Sequence, residues 1–285
     1  MSLKTFMSNS IVYFGTPRFS TLVLDALKNA AYCPSLIVTT PDRPQGRGLA
    51  LAPSPVKVWA ETNTIPCITP EDLHSDPELD VLVNSEWDLF VVAAYGKILP
   101  KRILSLPAHG CLNVHPSLLP RYRGMSPIES QILNDERVVG VSVILMDEEM
   151  DHGPILAQAS VVPDPWPPRT RDLEDVLWHE GGLLLAELIP EHLAGTMEPG
   201  TQNHSLATYT KKMTKSDGCI DLAIDPYTNY LKYCAYDEWP GTFFFKDNKR
   251  IKITHAEFVD GQFMIKRVIP EGKKEMDYTD FMRSN

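Results

Sequence analysis

The sequence predicts an open, mostly parallel α/β sheet followed by a small β-rich region. Three observations carry that prediction. Short apolar runs alternate with helical patterns over the first 165 residues. Several of these runs are continuously apolar, as strands covered on both faces are. Beyond residue 205 the pattern shifts to closely spaced strands joined by Asp-Asn and Asp-Gly turns. The 285 residues are enough for two domains. We expect a first domain over residues 8–193, a linker rich in Gly, Pro and polar residues over 194–205, and a second domain over 206–285.

Strands are expected at Ser10–Phe14, Leu36–Thr40, Ile65–Thr69, Leu89–Tyr95, Cys111–His115 and Val139–Met146, as a group rich in Val, Ile and Phe and bounded by turn formers. Between them, Arg18–Asn29, Pro55–Asn63, Leu99–Leu106 and Pro127–Asn134 suit helices. Ser54 ahead of Pro55 reads as an N-cap before a proline at the first helical position. Ile155–Val162 reads as a strand folded back as an antiparallel edge. Arg171–Leu193 reads as a long helix with Leu173, Val176, Leu177, Leu184, Leu188 and Ile189 on one apolar face. In the second domain Pro226–Tyr236 suits a helix, and Thr242–Phe245, Arg250–Phe258 and Gln262–Val268 suit strands.

Composition removes several classes of function. A net charge of −10 argues against a protein that coats nucleic acid by bulk positive charge. Residues 1–200 carry 14 Lys and Arg against 25 Asp and Glu, and residues 201–285 carry 13 against 12, so the acidity lies in the first part. The five cysteines stand singly, which argues against a disulfide framework and against a C-x-x-C zinc site. No apolar run reaches the roughly 18–20 residues of a membrane helix. The N-terminus lacks a cationic stretch followed by an apolar core. The expectation is a metal-free cytoplasmic protein without membrane contact, and with no stable protein partner implied.

In open α/β sheets the ligand site lies outside the carboxyl ends of the strands. Polar residues follow four of the expected ends: Gly15-Thr16-Pro17, Tyr95-Gly96-Lys97, Asn113–Ser117 and Asp147–Gly153. The first is not G-x-G-x-x-G, which speaks against a dinucleotide-binding oxidoreductase. Asn113 and His115 are two apart and share one face of their strand. Such a pair can polarise one carbonyl oxygen from two directions, with the His also able to exchange a proton. A hydrogen-bonded structural His at a strand end is the alternative. Asp151 can orient His115 or take a proton from a nucleophile, and otherwise belongs to a solvated acidic turn.

Asn113–Pro120 (N-V-H-P-S-L-L-P), Arg121–Gly124 (R-Y-R-G) and Met150–Gly153 (M-D-x-G) together resemble the folate-dependent formyltransferase superfamily. Phe14–Pro17, Thr40–Gly48, Pro53–Lys57, Ala94–Pro100 and Trp239–Gly241 extend the resemblance to the methionyl-tRNA formyltransferase family, over about residues 10–282. That resemblance implies a Rossmann-like catalytic domain joined to an OB-fold-like C-terminal domain, here shortened. It implies a catalytic set of Asn113, His115 and Asp151. It implies 10-formyltetrahydrofolate as formyl donor, held near Ile98, Leu99, Ser117, Leu118, Leu119 and Pro120, with Leu119–Pro120 a candidate cis peptide and backbone of Met146–Met150 lining the pterin.

The acceptor it implies is initiator methionyl-tRNA. Pro41–Pro53 is a 13-residue loop without a clear element. It carries Arg43 and Arg47, whose guanidinium groups can fork onto phosphates. The resemblance assigns both to the tRNA. Lysines and arginines between residues 211 and 252 add either a basic face or a solvated surface. Two other readings stand beside this one. An N-formyltransferase acting on a nucleotide-linked amino sugar would share Asn113, His115 and Asp151, and the acidic charge and short second domain lean toward it. A non-catalytic folate- or RNA-binding module would need no such set.

Overall fold

The structure, a computed structural model, describes residues 10–45 and 50–283. In chain order its elements are β1 (Ile11–Gly15), α1 (Ser20–Asn29), β2 (Leu36–Val38), β3 (Arg43–Gln45), β4 (Ala50–Ala52), α2 (Pro55–Thr62), β5 (Cys67–Ile68), α3 (Asp80–Val83), β6 (Leu89–Ala93), α4 (Lys101–Leu104), β7 (Cys111–His115), β8 (Arg123–Gly124) and α5 (Pro127–Leu133). They continue with β9 (Val139–Leu145), β10 (Ile155–Val161), α6 (Thr170–Leu193), β11 (Tyr209–Thr210), α7 (Pro226–Ala235), β12 (Phe243–Lys246), β13 (Lys249–Val259), β14 (Gln262–Pro270), β15 (Met276–Asp277) and α8 (Tyr278–Arg283). The chain divides into two units: residues 1–123, 140–160 and 175–207, and residues 124–139, 161–174 and 208–285.

Seven strands form the central sheet in the order β10-β9-β7-β6-β1-β2-β5. β5, β2, β1, β6 and β7 are parallel neighbours, giving the mostly parallel sheet that the apolar runs predict and the Rossmann-like domain that the resemblance implies. Every residue of β1 and β6 is buried. Val12, Phe14, Val38, Phe90 and Val92 form one core cluster with Leu99 and Ile103. Gly15 ends β1 where no side chain fits: a Cβ there would stand 2.1 Å from Ser20 Oγ. That closeness lets Ser20 Oγ, at the start of α1, donate to the Ala93 carbonyl at 2.9 Å and tie the helix to the carboxyl end of β6. Ser54 caps α2 by accepting the Lys57 N–H at 3.0 Å, with Pro55 at the first helical position.

One expectation about the sheet is corrected. β9 runs antiparallel to β7, with Leu112 opposite Leu145 and His115 opposite Ser142. A parallel neighbour needs a long crossover covering the sheet. The helix between these strands, α5, belongs to the second unit and not to the one that holds the sheet. The end of β9 therefore lies beside the start of β7, where the Met146 N–H donates to the Cys111 carbonyl at 2.8 Å. Asp147–Gly153 does not follow the shared carboxyl edge. The Pro41–Pro53 segment also differs from a plain loop, because β3 and β4 pair as a hairpin with Arg43 opposite Ala52.

In the second unit, β12-β13-β14-β15 form an antiparallel sheet of four strands. Its two tight turns are those the sequence marks. Asp247 and Asn248 have φ of 50° and 60°, and Asp260 and Gly261 have 49° and 75°, the mirror-image turns that suit twisted hairpins. Asp225 caps α7 by accepting the Thr228 N–H at 2.7 Å. Asp135, after α5, accepts from Trp166 Nε1 at 2.6 Å and from Tyr227 OH at 2.7 Å. No helix among the described residues is long and apolar enough to cross a membrane.

Candidate active site

β7 presents Asn113 and His115 on one face, and of its five residues only Asn113 is not buried. The structure brings Asp151 to both. Asn113 Nδ2 donates to Asp151 Oδ1 at 3.4 Å, and His115 Nδ1 stands 3.6 Å from the same oxygen. His115 is only 5% exposed. Its Nε2 meets the Tyr122 carbonyl at 2.9 Å. A carbonyl only accepts, so Nε2 is the donor there. Nδ1 faces a carboxylate, a second acceptor. The ring is turned so that a protonated imidazole satisfies both sides, and a neutral one only the Tyr122 side.

Asp151 arrives from an unusual turn. Its φ is 52°, in the left-handed region that Asp and Asn tolerate better than most residues. Gly153 closes the turn: a Cβ there would stand 1.9 Å from the Leu145 carbonyl oxygen. The Leu145 N–H donates to the Pro154 carbonyl at 3.0 Å, so the loop leaves and returns at one point. His152 Nδ1 pairs with Asp147 Oδ2 at 2.6 Å across it.

Residues not predicted from the sequence hold this loop from behind. Gln202 is 4% exposed, and its Nε2 donates to the Asp151 carbonyl at 2.9 Å and to the Gly153 carbonyl at 2.7 Å. Gln202 Oε1 accepts from Arg123 Nε at 3.2 Å and from its Nη2 at 2.6 Å. Arg123, 1% exposed, also donates to His204 Nδ1 at 2.8 Å, and the His204 ring stacks on His152 at 4.1 Å. Arg123 sits in the R-Y-R-G motif, which was the available signal. Gln202 and His204 lie in the polar segment 194–205, where nothing in the pattern marks them. Gly200 in that segment exchanges two backbone hydrogen bonds with Ile155, at 2.7 and 2.8 Å.

The remaining predicted residues have diverse surroundings. The Ser142 hydroxyl donates to the Ser117 carbonyl at 2.6 Å and accepts the Leu119 N–H at 3.0 Å, fixing the turn that follows β7. Leu119–Pro120 is cis. The Leu118 side chain fills the space beside Gly140, and Pro120 is half-buried. Leu99 lies in the core cluster, whereas Ile98 is 84% exposed. Arg43 is exposed and its guanidinium pairs with Glu71 at 3.1 Å. Arg47 lies outside the described residues. Cys111, at the start of β7, is no nucleophile in this setting, because burial pushes its thiol up to about 12. Among the described residues no three His, Cys, Asp or Glu side chains group so as to hold a metal ion.

Residues 9–175 match the family model described as formyl transferase. The methionyl-tRNA formyltransferase of Chloroflexus aurantiacus is 42% identical over 246 residues, covering 86% of this chain and 79% of that protein. Among solved structures, a methionyl-tRNA formyltransferase from Clostridium thermocellum superposes with a TM-score of 0.60 at 18% identity, covering 94% of this chain and 99% of the other. An N-formyltransferase from Helicobacter canadensis, in complex with folinic acid and dTDP-3-aminofucose, gives 0.65 at 19% identity, covering 90% and 95%. Both structural likenesses show the same fold.

Proposed function

The chain belongs to the formyl transferase family and, within it, to the methionyl-tRNA formyltransferases, and from that premise we propose that it moves the formyl group of 10-formyltetrahydrofolate to the amino group of methionine on initiator tRNA. The observation that carries the residue assignment is the convergence of Asn113 Nδ2 and His115 Nδ1 on one Asp151 oxygen, at 3.4 and 3.6 Å. An amide donor, an imidazole and a carboxylate thus meet at one point, the set that acyl transfer to an amine needs.

In this reading the free amine attacks the formyl carbon. A carbon–nitrogen bond forms to methionine, the bond to the folate nitrogen breaks, and the amine proton passes to that leaving nitrogen. Negative charge develops on the formyl oxygen as attack proceeds. With Nε2 held on the Tyr122 carbonyl, Asn113 Nδ2 and His115 Nδ1 donate to it, each donor of this kind being worth about 2.7–4 kcal/mol. Asp151 orients and stabilises protonated His115 and assists removal of the amine proton. The donor's flat ring system suits a site with apolar walls and a few backbone polar groups. Ile98, an apolar side chain left 84% exposed, and the backbone of Met146–Met150 are the groups we assign to it. Ser117, Leu118, Leu119 and Pro120 shape the turn beside His115.

Arg43 and Arg47 are assigned to tRNA phosphates. An exposed ion pair such as Arg43–Glu71 is worth about 0–1 kcal/mol, so a phosphate can displace the carboxylate at little cost. The place of work is the cytoplasm, where charged tRNA and reduced folate are found together.

The experiment is one assay with two acceptors. Purified protein and 10-formyltetrahydrofolate are offered methionine-charged initiator tRNA or a nucleotide-linked amino sugar, and formylated product is counted by mass. Transfer to the tRNA alone supports the proposal. Transfer to the sugar alone keeps the three catalytic residues and overturns the assignment of Arg43 and Arg47. His115→Ala lowers turnover by orders of magnitude with the fold retained; near-normal transfer by that variant would overturn the mechanism.

A further inference from the structure

We propose that Gln202 is a positioning residue for Asp151, and that Arg123 is the fixed post from which it acts; this rests on the catalytic role proposed above for Asp151. The carboxylate of Asp151 can meet Asn113 and His115 only while its backbone holds a left-handed turn. Nothing in that short loop supplies a helix or strand ladder to keep it there. Gln202 does so with one planar group. Both hydrogens of its amide are used, one on the carbonyl of Asp151 and one on that of Gly153, two residues on. Its carbonyl oxygen accepts two N–H groups from Arg123.

An amide has two donors and two acceptor sites, so this one is fully engaged. Its orientation is set as well. A flipped Gln202 would aim its NH2 at a guanidinium and its oxygen at two carbonyls. The same Arg123 supports the loop's other side through His204, which stacks on His152, and His152 Nδ1 binds Asp147. Arg123 and Gln202 are 1% and 4% exposed, so water is a poor substitute for any of these bonds.

Displacement of a reacting group by about 1 Å can cost on the order of 10²-fold in rate. Gln202→Glu keeps the pairing with Arg123 and turns both donors into acceptors. Gln202→Met keeps the length and removes all four bonds. Each is expected to lower kcat about 10²-fold while KM for 10-formyltetrahydrofolate and for charged tRNA stays within about threefold.

The decisive measurement repeats both substitutions in the Asp151→Asn background, in single-turnover reactions with full-length protein. Residues that act through one another are not additive. Loss of Gln202 should there cost less than about threefold further. Equal fold-losses in the two backgrounds would overturn the proposal, as would unchanged kcat in the parent background. Absence of a cooperative melting transition in both variants would also overturn it, because Gln202 would then serve folding. Near-normal turnover by Asp151→Asn alone is a separate outcome, and it would remove the catalytic reading on which the proposal stands.

Discussion

Replacing Asp151 by Asn removes one charge and almost no volume. The backbone should tolerate the change. Asn accepts a φ of 52° as readily as Asp does, and the backbone carbonyl that receives Gln202 is untouched. What is lost is the attraction between a carboxylate and the positive charge that His115 carries as it donates to the formyl oxygen. At 3.6 Å and an effective dielectric of about 20, two unit charges interact by about 4–5 kcal/mol. The Asp151 side chain is 12% exposed and that of His115 is 6% exposed, so bulk water screens the pair weakly. If that attraction is present only as the reaction proceeds, its loss is expected to slow turnover about 10³-fold. The assay is the initial rate of formyl transfer to charged initiator tRNA, both substrates saturating, with product counted by mass. A melting scan beside it should show a shift of less than about 2 °C, the equivalent of about 1 kcal/mol in a chain of this size. A variant that melts normally and turns over within about threefold of the parent would refute the electrostatic role of Asp151.

Arg43→Ala should raise KM for charged tRNA, leave KM for the folate unchanged, and flatten the dependence of log K on log salt by about 0.7–0.9, one phosphate contact's worth, in a binding titration at several salt concentrations. Gly153→Ala forces a Cβ against a backbone carbonyl 1.9 Å away and should cost about 1–3 kcal/mol in denaturant unfolding together with most of the turnover. Asp135→Asn should destabilise the protein by about 1–2 kcal/mol at neutral pH. Burial alone would raise the Asp135 carboxyl, but the bonds from Tyr227 and Trp166 and the Arg137 charge outweigh it and hold the group below its ordinary range. That stability is present above the unfolded carboxylate value and is lost as pH falls through the folded one, so the gap in Tm between parent and variant should close below about pH 4.

Much of this architecture is legible in the chain because local chemistry forces it. Asn113 and His115 share a face because strand side chains alternate, whatever the fold around them. Ser54-Pro55 and Asp260-Gly261 act through hydrogen bonds and backbone sterics confined to a few residues. The direction of β9 is not legible. Val139–Leu145 is buried along nearly its whole length, and a strand apolar on both faces carries the same pattern in either orientation. Leu99–Leu106 shortens to the single turn Lys101–Leu104, since Leu99 is drawn into the core ahead of the helix. The role of Gln202 is hidden for another reason. Its partners Asp151 and Gly153 are engaged through their backbone carbonyls, which every residue has, so no spacing or residue type betrays the contact.

The two backbone bonds between Gly200 and Ile155 bear on how the protein can be cut. A fragment designed to stop at Leu193, where the long helix ends, would carry Asn113, His115 and Asp151 intact and still lack the amide that spans the Asp151 turn. It would also strip the Gly200 partner from Ile155 of β10, an edge strand, leaving that residue's N–H and carbonyl open to another copy of itself. Any excised or fused version of the first unit needs to run on to Ala207 to be a fair test of catalysis without the C-terminal sheet.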